Sequence, residues 1–153
     1  MPQITQRPYD PKDQAACLAL FDANTPRFFA PSERPEFASH LQSCGDPDTP
    51  YMVLIENGAL IACGGLSRPP GSNSAALTWG MVHPARHGQG IGQRLLDTRL
   101  ALARGLPGLH SLTLSTSQHS SGFYRRAGFT LTRLTKDGLA PGLDRWDMTL
   151  TLA

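Results

Sequence analysis

The chain has 153 residues, 40% of them hydrophobic and 17% charged, enough apolar material for one domain with its own core and too little charge for a disordered tail protein. The 14 Lys and Arg against 12 Asp and Glu leave a net charge of +2, without the concentrated basic excess of a nucleic-acid binder. Three cysteines (Cys17, Cys44 and Cys63), with no CxxC pair, argue against a disulfide framework or a zinc knuckle. The N-terminal MPQITQRPYDPKDQ has no apolar run, and no stretch of about 18 apolar residues follows. No signal peptide, membrane partner, nucleic-acid partner or metal is expected. The expected setting is the cytoplasm, and the expected organisation is a single domain over residues 1–153.

Predicted elements alternate along the chain. Ile4 to Arg7 reads as a short strand closed by Pro8. Asp10-Pro11 starts a helix to about Ala23, because an aspartate cap accepts backbone N–H bonds and proline is tolerated in the first turn; Cys17, Leu18 and Phe21 fall at core-facing spacing. The loop TPRFFAP carries the adjacent Phe28 and Phe29. Ser32, Glu33 and Glu36 open a second helix ending near Cys44-Gly45.

Sheet follows. YMVLIE, Asn57-Gly58 and ALIACGGLSR predict a hairpin on a two-residue turn, since both turn residues tolerate positive φ. Gly64-Gly65 marks a bulge or a close backbone neighbour. A strand from Ala75 to Val82 ends at His83-Pro84. RHGQGIG, Arg86 to Gly92, then leads into the most periodic helix of the chain. Its apolar face is Ile91, Leu95, Leu96, Leu100 and Leu102, opposite Gln93, Arg94, Asp97 and Arg104. A strand from Ser111 to Ser115, a short helix from His119 to Ala127 and a strand from Phe129 come next. The last strand, Trp146 to Leu152, alternates apolar and polar residues. It is predicted to keep one face solvated and to be free to pair with a second copy, the basis for a homodimer as a candidate assembly.

The glycine-rich turn carries chemistry. A helix's first turn presents unpaired N–H groups and a partial positive charge, and Gly88, Gly90 and Gly92 leave room for a phosphate on the backbone. A dinucleotide fingerprint would need glycine where Gln93 stands, and a P-loop would need GK[ST] in place of Gly92-Gln93-Arg94. On their own, the glycines are equally compatible with a tight strand-to-helix turn. His83 and His87 have the spacing of a metal pair, but Pro84 and Gly88 oppose the helix that such a pair requires. Cys63 lacks an adjacent base and reads as a small core residue.

TWGMVHPARHGQGIGQRLL, followed about thirty residues on by SGFYRRAGF, resembles the GNAT superfamily of acyl-CoA N-acyltransferases. The family's pyrophosphate loop, Q/R-x-x-G-x-G/A, falls on His87, Gly88, Gln89, Gly90, Ile91 and Gly92. The first position departs from the pattern, which leaves the phosphate contact to His87 or to Arg86 beside it. The resemblance is strong from Trp79 to Phe129 and weak before Tyr51. It implies an α/β (α+β) fold with a mixed, mainly antiparallel sheet of six to seven strands, about four helices, and splayed fourth and fifth strands.

The implied reaction moves an acetyl group from acetyl-CoA, a co-substrate, to a primary amine of a small molecule or peptide. In that reading the exposed edge at Gly80, Met81 and Val82 holds the pantetheine arm and polarises the thioester, with Gly80 as the place for a bulge. Tyr124 is implied as the general acid that protonates the departing thiolate. Ser117 stands where many members place an asparagine against the cofactor. Arg94, Arg125 and Arg126 could add charge around the cofactor. Phe28, Phe29, Glu33 and Trp79 are expected at the acceptor pocket. Many members use a glutamate on the fourth strand as base, yet AALTWGMV has no acid. Glu33, His83 or water held by Thr78 remain candidates. The rival reading is a non-catalytic acyl-CoA-binding sensor of the same fold.

Overall fold

The computed structural model describes residues 3–152. β1 (Ile4–Pro8) precedes a single 3-10 turn (Pro11–Asp13) that runs into α1 (Gln14–Ala23). A second such turn (Pro31–Glu33) runs into α2 (Arg34–Ser43). Then come β2 (Tyr51–Glu56), β3 (Ala59–Ser67), β4 (Ser74–Val82), α3 (Ile91–Arg104), β5 (Ser111–Thr116), α4 (Ser121–Arg126), β6 (Thr130–Ala140) and β7 (Leu143–Thr151). The expected fold class holds: seven strands form one sheet in the order β1-β2-β3-β4-β5-β7-β6, antiparallel except for β4 with β5.

Local chemistry explains these starts and turns. Asp10 accepts the Lys12 N–H at 2.9 Å, and Asp13 returns a bond to the Asp10 N–H at 2.9 Å, a capping box ahead of α1. Asn57 and Gly58 take φ of 51° and 79°, the primed-turn geometry that suits the twist of β2 and β3. Ile91, Leu95 and Leu96 of α3 are at most 3% exposed, each contributing roughly 1.5–3 kcal/mol by burial. α1 and α2 bury Cys17, Leu20, Phe21, Phe37 and Leu41 against Tyr51, Val53, Cys63 and Met81.

Two features of the sheet place the site. The parallel pairing of β4 with β5 covers only Ser74–Ala76 against Ser111–Thr113. β5 stays paired with β7 as far as Thr116 opposite Trp146, and β4 with β3 as far as Val82 opposite Ala62, so the two halves of the sheet part and a V opens between the two parallel strands. β4 also carries a bulge. Cys63 pairs with Met81 and Gly65 with Thr78, so Trp79 and Gly80 together oppose Gly64. The bulge falls at the Gly80 position expected from the sequence, and Trp79 there adopts φ of 45°.

The prediction for the last strand is corrected. β7 lies inside the sheet with β5 on one side and β6 on the other, so both its edges are used and none is free for a second copy. The reason is the β6–β7 hairpin, closed through Ala140 and Leu143, which lays β6 outside β7 as the true edge. The last short helix begins at Ser121, later than the predicted His119, because residues 118–120 form a turn held by Ser117.

Candidate active site

The RHGQGIG turn is built to leave amides free. His83 caps the 3-10 turn Pro84–Arg86, its Nδ1 accepting the Ala85 N–H at 3.1 Å. Arg86 is engaged with protein groups: its guanidinium grips the Glu56 carboxylate in a fork, with Nη2 to Oε2 at 3.0 Å, while Nε donates to Gln89 Oε1 at 2.7 Å. The hydrogen bond from Arg86 to Glu56 holds the Glu56 carboxyl below its usual pKa. Gly88 and Gly90 adopt φ of 78° and 81°, and a Cβ at either would meet nothing within 4 Å. Among the described residues, no protein group accepts from the N–H groups of residues 88–93. Six amide donors therefore lie unbonded at and before the start of α3, where the helix dipole adds positive potential. Arg94 turns away and donates to Ile4 O at 2.6 Å and to Gln6, tying α3 to β1.

His87 reaches back to β4, with its Nε2 2.9 Å from the Val82 carbonyl oxygen. The same oxygen accepts Asn24 Nδ2 at 3.1 Å, so the end of β4 is pinned from two sides. Phe28 meets the His87 ring edge-on at 5.2 Å and the His119 ring at 6.0 Å, linking the glycine turn to the segment after β5. Phe29 lies elsewhere, stacked on Trp79 with centroids 6.1 Å apart. The expected pair of phenylalanines is thus divided between two places.

Below the splay lies a cleft of about 510 Å³ lined by Phe29, Glu33, Thr78, Trp79, Ser115 and Asp147 among others. Three of the four expected pocket residues (Phe29, Glu33 and Trp79) come together here, and Phe28 does not. Glu33 accepts the Ala30 N–H at 2.7 Å, and burial raises its carboxyl pKa despite that bond. The Thr78 hydroxyl is buried with no partner among the described residues. On the far wall, Asp147 accepts from Ser115 Oγ at 2.6 Å and Arg145 Nε at 3.1 Å. Burial works to raise the Asp147 pKa, and these two bonds outweigh it to leave the carboxyl below its ordinary value.

α4 closes the other side. Phe123 faces the glycine turn, 3.8 Å from where a Gly92 Cβ would stand. Tyr124 packs edge-on against Phe123 and Phe129 at 5.1 and 5.7 Å, and no protein group among the described residues ties its hydroxyl. Ser117 is 1% exposed; its Oγ accepts the His119 N–H at 3.2 Å and its carbonyl accepts from Ser120 and Ser121. It shapes the turn before α4 and makes no bond to Tyr124. Arg125 stands over the Trp146 ring at 6.0 Å.

The sequence reading missed two residues at the centre. Tyr51, 2% exposed, donates its hydroxyl to the Trp79 carbonyl at 2.7 Å. Arg99, also 2% exposed, donates Nε to the Gly65 carbonyl at 3.2 Å and Nη2 to the Thr78 carbonyl at 3.1 Å. A signal for Arg99 was present: it interrupts the row Ile91, Leu95, Ala103 at four-residue spacing.

The comparisons with known proteins agree with this geometry. Residues 17–129 match the Acetyltransferase (GNAT) family. No curated protein sequence matches the chain. Among solved structures, a GNAT-family protein from Desulfovibrio desulfuricans is similar at TM-score 0.81 and 21% identity, covering 99% of this chain and 100% of that one. The ribosomal-protein-S18-alanine N-acetyltransferase from Escherichia coli gives 0.79 and 20%, covering 99% and 95%. The yncA protein from Salmonella typhimurium, solved with acetyl-CoA, gives 0.78 and 20%, covering 99% and 95%. With the match spanning most of its length, and with splayed parallel strands and a glycine turn heading α3, this chain belongs to the GNAT acetyltransferase family.

Proposed function

We propose that the chain, acting as a single domain, is an N-acetyltransferase that moves an acetyl group from acetyl-CoA to a primary amine of a small molecule or peptide. One observation carries the reading: six unbonded amides over residues 88–93, two of them at the left-handed Gly88 and Gly90, heading a helix after the splayed strand. The residues present fit the co-substrate. The amides of Gly88, Gln89, Gly90, Ile91 and Gly92 would hold its pyrophosphate. His87 and Arg86 act by fixing the loop, through Val82 on one side and Glu56 on the other. Met81 and Val82 would line the pantetheine arm. Acetyl-CoA supplies an acyl thioester.

The chain's own groups then manage protons and charge. Glu33, held by the Ala30 N–H at the cleft, accepts the proton that the ammonium must lose. The amine nitrogen bonds to the carbonyl carbon while the Gly80 backbone steadies the charge on oxygen. The C–S bond breaks, Tyr124 gives its phenolic proton to the departing sulfur, and the nitrogen releases its second proton to solvent, from which Tyr124 regains one. Phe29 and Trp79 wall the acceptor side and exclude water.

Tyr124→Phe tests the acid. With an amine first verified as acceptor, kcat should fall about 10²- to 10⁴-fold while acetyl-CoA binding is kept. Equal turnover by the variant would remove Tyr124 from the role. Absence of acetyl-CoA binding by the wild type would refute the transferase reading altogether.

A further inference from the structure

Arg99 is a cation buried at 2% exposure, and no carboxylate pairs with it among the described residues. A guanidinium keeps its charge in a protein interior, and an apolar side chain at such a site is commonly the more stabilising choice. The surroundings are shaped to admit it. A Cβ at Gly80 would stand 2.8 Å from Arg99 Cζ and 2.9 Å from Nη2, and one at Gly64 would stand 3.2 Å from Nε. Gly80 does not have a positive φ, so the guanidinium, not backbone strain, is what excludes a side chain there. Arg99 thus occupies the volume that a residue-80 side chain would fill, against the bulge of β4.

The bulge is held from both sides. Arg99 Nη2 takes the Thr78 carbonyl, and the Tyr51 hydroxyl takes the carbonyl of Trp79, the next residue. Trp79 is kept at φ of 45°, a conformation rare for a bulky residue and retained only where the surroundings impose it. The Trp79–Gly80 peptide, with its oxygen fixed by Tyr51, has a fixed N–H direction as well.

We propose that Arg99 is a positioning residue for acyl transfer, its buried cation holding the β4 bulge and favouring the negative charge that develops on the carbonyl oxygen beside Gly80. This rests on the acetyltransferase reading above. As the amine nitrogen bonds to carbon, the C=O electron pair moves onto oxygen; as the C–S bond breaks, it returns. The oxygen is fully charged only in between, so a fixed cation nearby acts on the barrier more than on binding.

The test uses acetyl-CoA labelled with ¹³C at the acetyl carbonyl and reads the infrared stretch of that carbonyl when bound. In the wild type the band should move to lower wavenumber than in solution. Arg99→Gln keeps donors without charge, and Arg99→Lys keeps the charge without the planar fork. The Gln variant should lose most of the band shift, with acetyl-CoA affinity within roughly threefold, and the Lys variant should keep most of it. With a verified amine, kcat of the Gln variant should fall about 10- to 100-fold at unchanged KM for acetyl-CoA. A Gln variant with the wild-type shift overturns the proposal. So does equal loss of acetyl-CoA binding in both variants with folded circular-dichroism spectra, which would make Arg99 a packing residue. A wild type that binds acetyl-CoA without any band shift also overturns it, leaving the transferase reading intact. A wild type that binds no acetyl-CoA refutes that reading and Arg99's role with it.

Discussion

Replacing Tyr51 with Phe isolates one hydrogen bond at the β4 bulge. The ring stays: its edge contact with His40 at 5.0 Å and its packing on Phe37 at 6.4 Å do not involve the hydroxyl. Lost are the bond to the Trp79 carbonyl at 2.7 Å and the contact with Cys63 Sγ at 3.2 Å. A buried acceptor left unpaired costs about 1–3 kcal/mol. For a domain of this size each kcal/mol lowers Tm by about 2–4 °C, so thermal unfolding followed by circular dichroism should show a drop of about 2–12 °C. Burial raises the Tyr51 pKa well above the ordinary phenol value, so the donor persists in alkaline buffer and the loss should be the same at about pH 6 and pH 9. Activity should fall as well, because the freed Trp79 carbonyl lets the Gly80 amide turn. A Tm within about 1 °C of wild type would show that the hydroxyl does not hold the bulge.

Gly90→Ala places a Cβ in open space at φ of 81°, so its cost is conformational alone, about 1–2 kcal/mol. If the loop relaxes to avoid it, calorimetric affinity for acetyl-CoA should fall about 5- to 30-fold; unchanged affinity would remove the turn from the anion site. Glu33 has a raised pKa in the folded state, from burial first. The sign follows: the wild type is favoured below the unfolded carboxylate value of about 4.3 and loses that stability as pH rises through the raised one. Glu33→Gln should flatten this limb in urea titrations across pH and should remove the rising limb of kcat with pH; an unaltered kcat profile would exclude Glu33 as the base.

How far the sequence determined the molecule can be argued residue by residue. Asn57-Gly58 specified its hairpin and Asp10-Pro11 its helix entry, because turn and cap chemistry is contained within a few residues. The glycine turn and the apolar row of α3 marked the corner proposed to hold the pyrophosphate for the same reason. Gly80 signalled the bulge but not its cause. Only the packed chain showed that Arg99 enters the gap left by Gly64 and Gly80, since that contact joins α3 to β3 and β4. Only it put Phe28 on His87 and His119 while Phe29 went to Trp79, a division between neighbours that depends on where the loop crosses the sheet. The alternation of β7 looked like a solvated strand because a period of two reports which residues share a face and carries no information about which strands lie alongside. Strand order, the partner of a buried cation and the direction of a carbonyl are set by segments distant in sequence, so tertiary structure alone decided them.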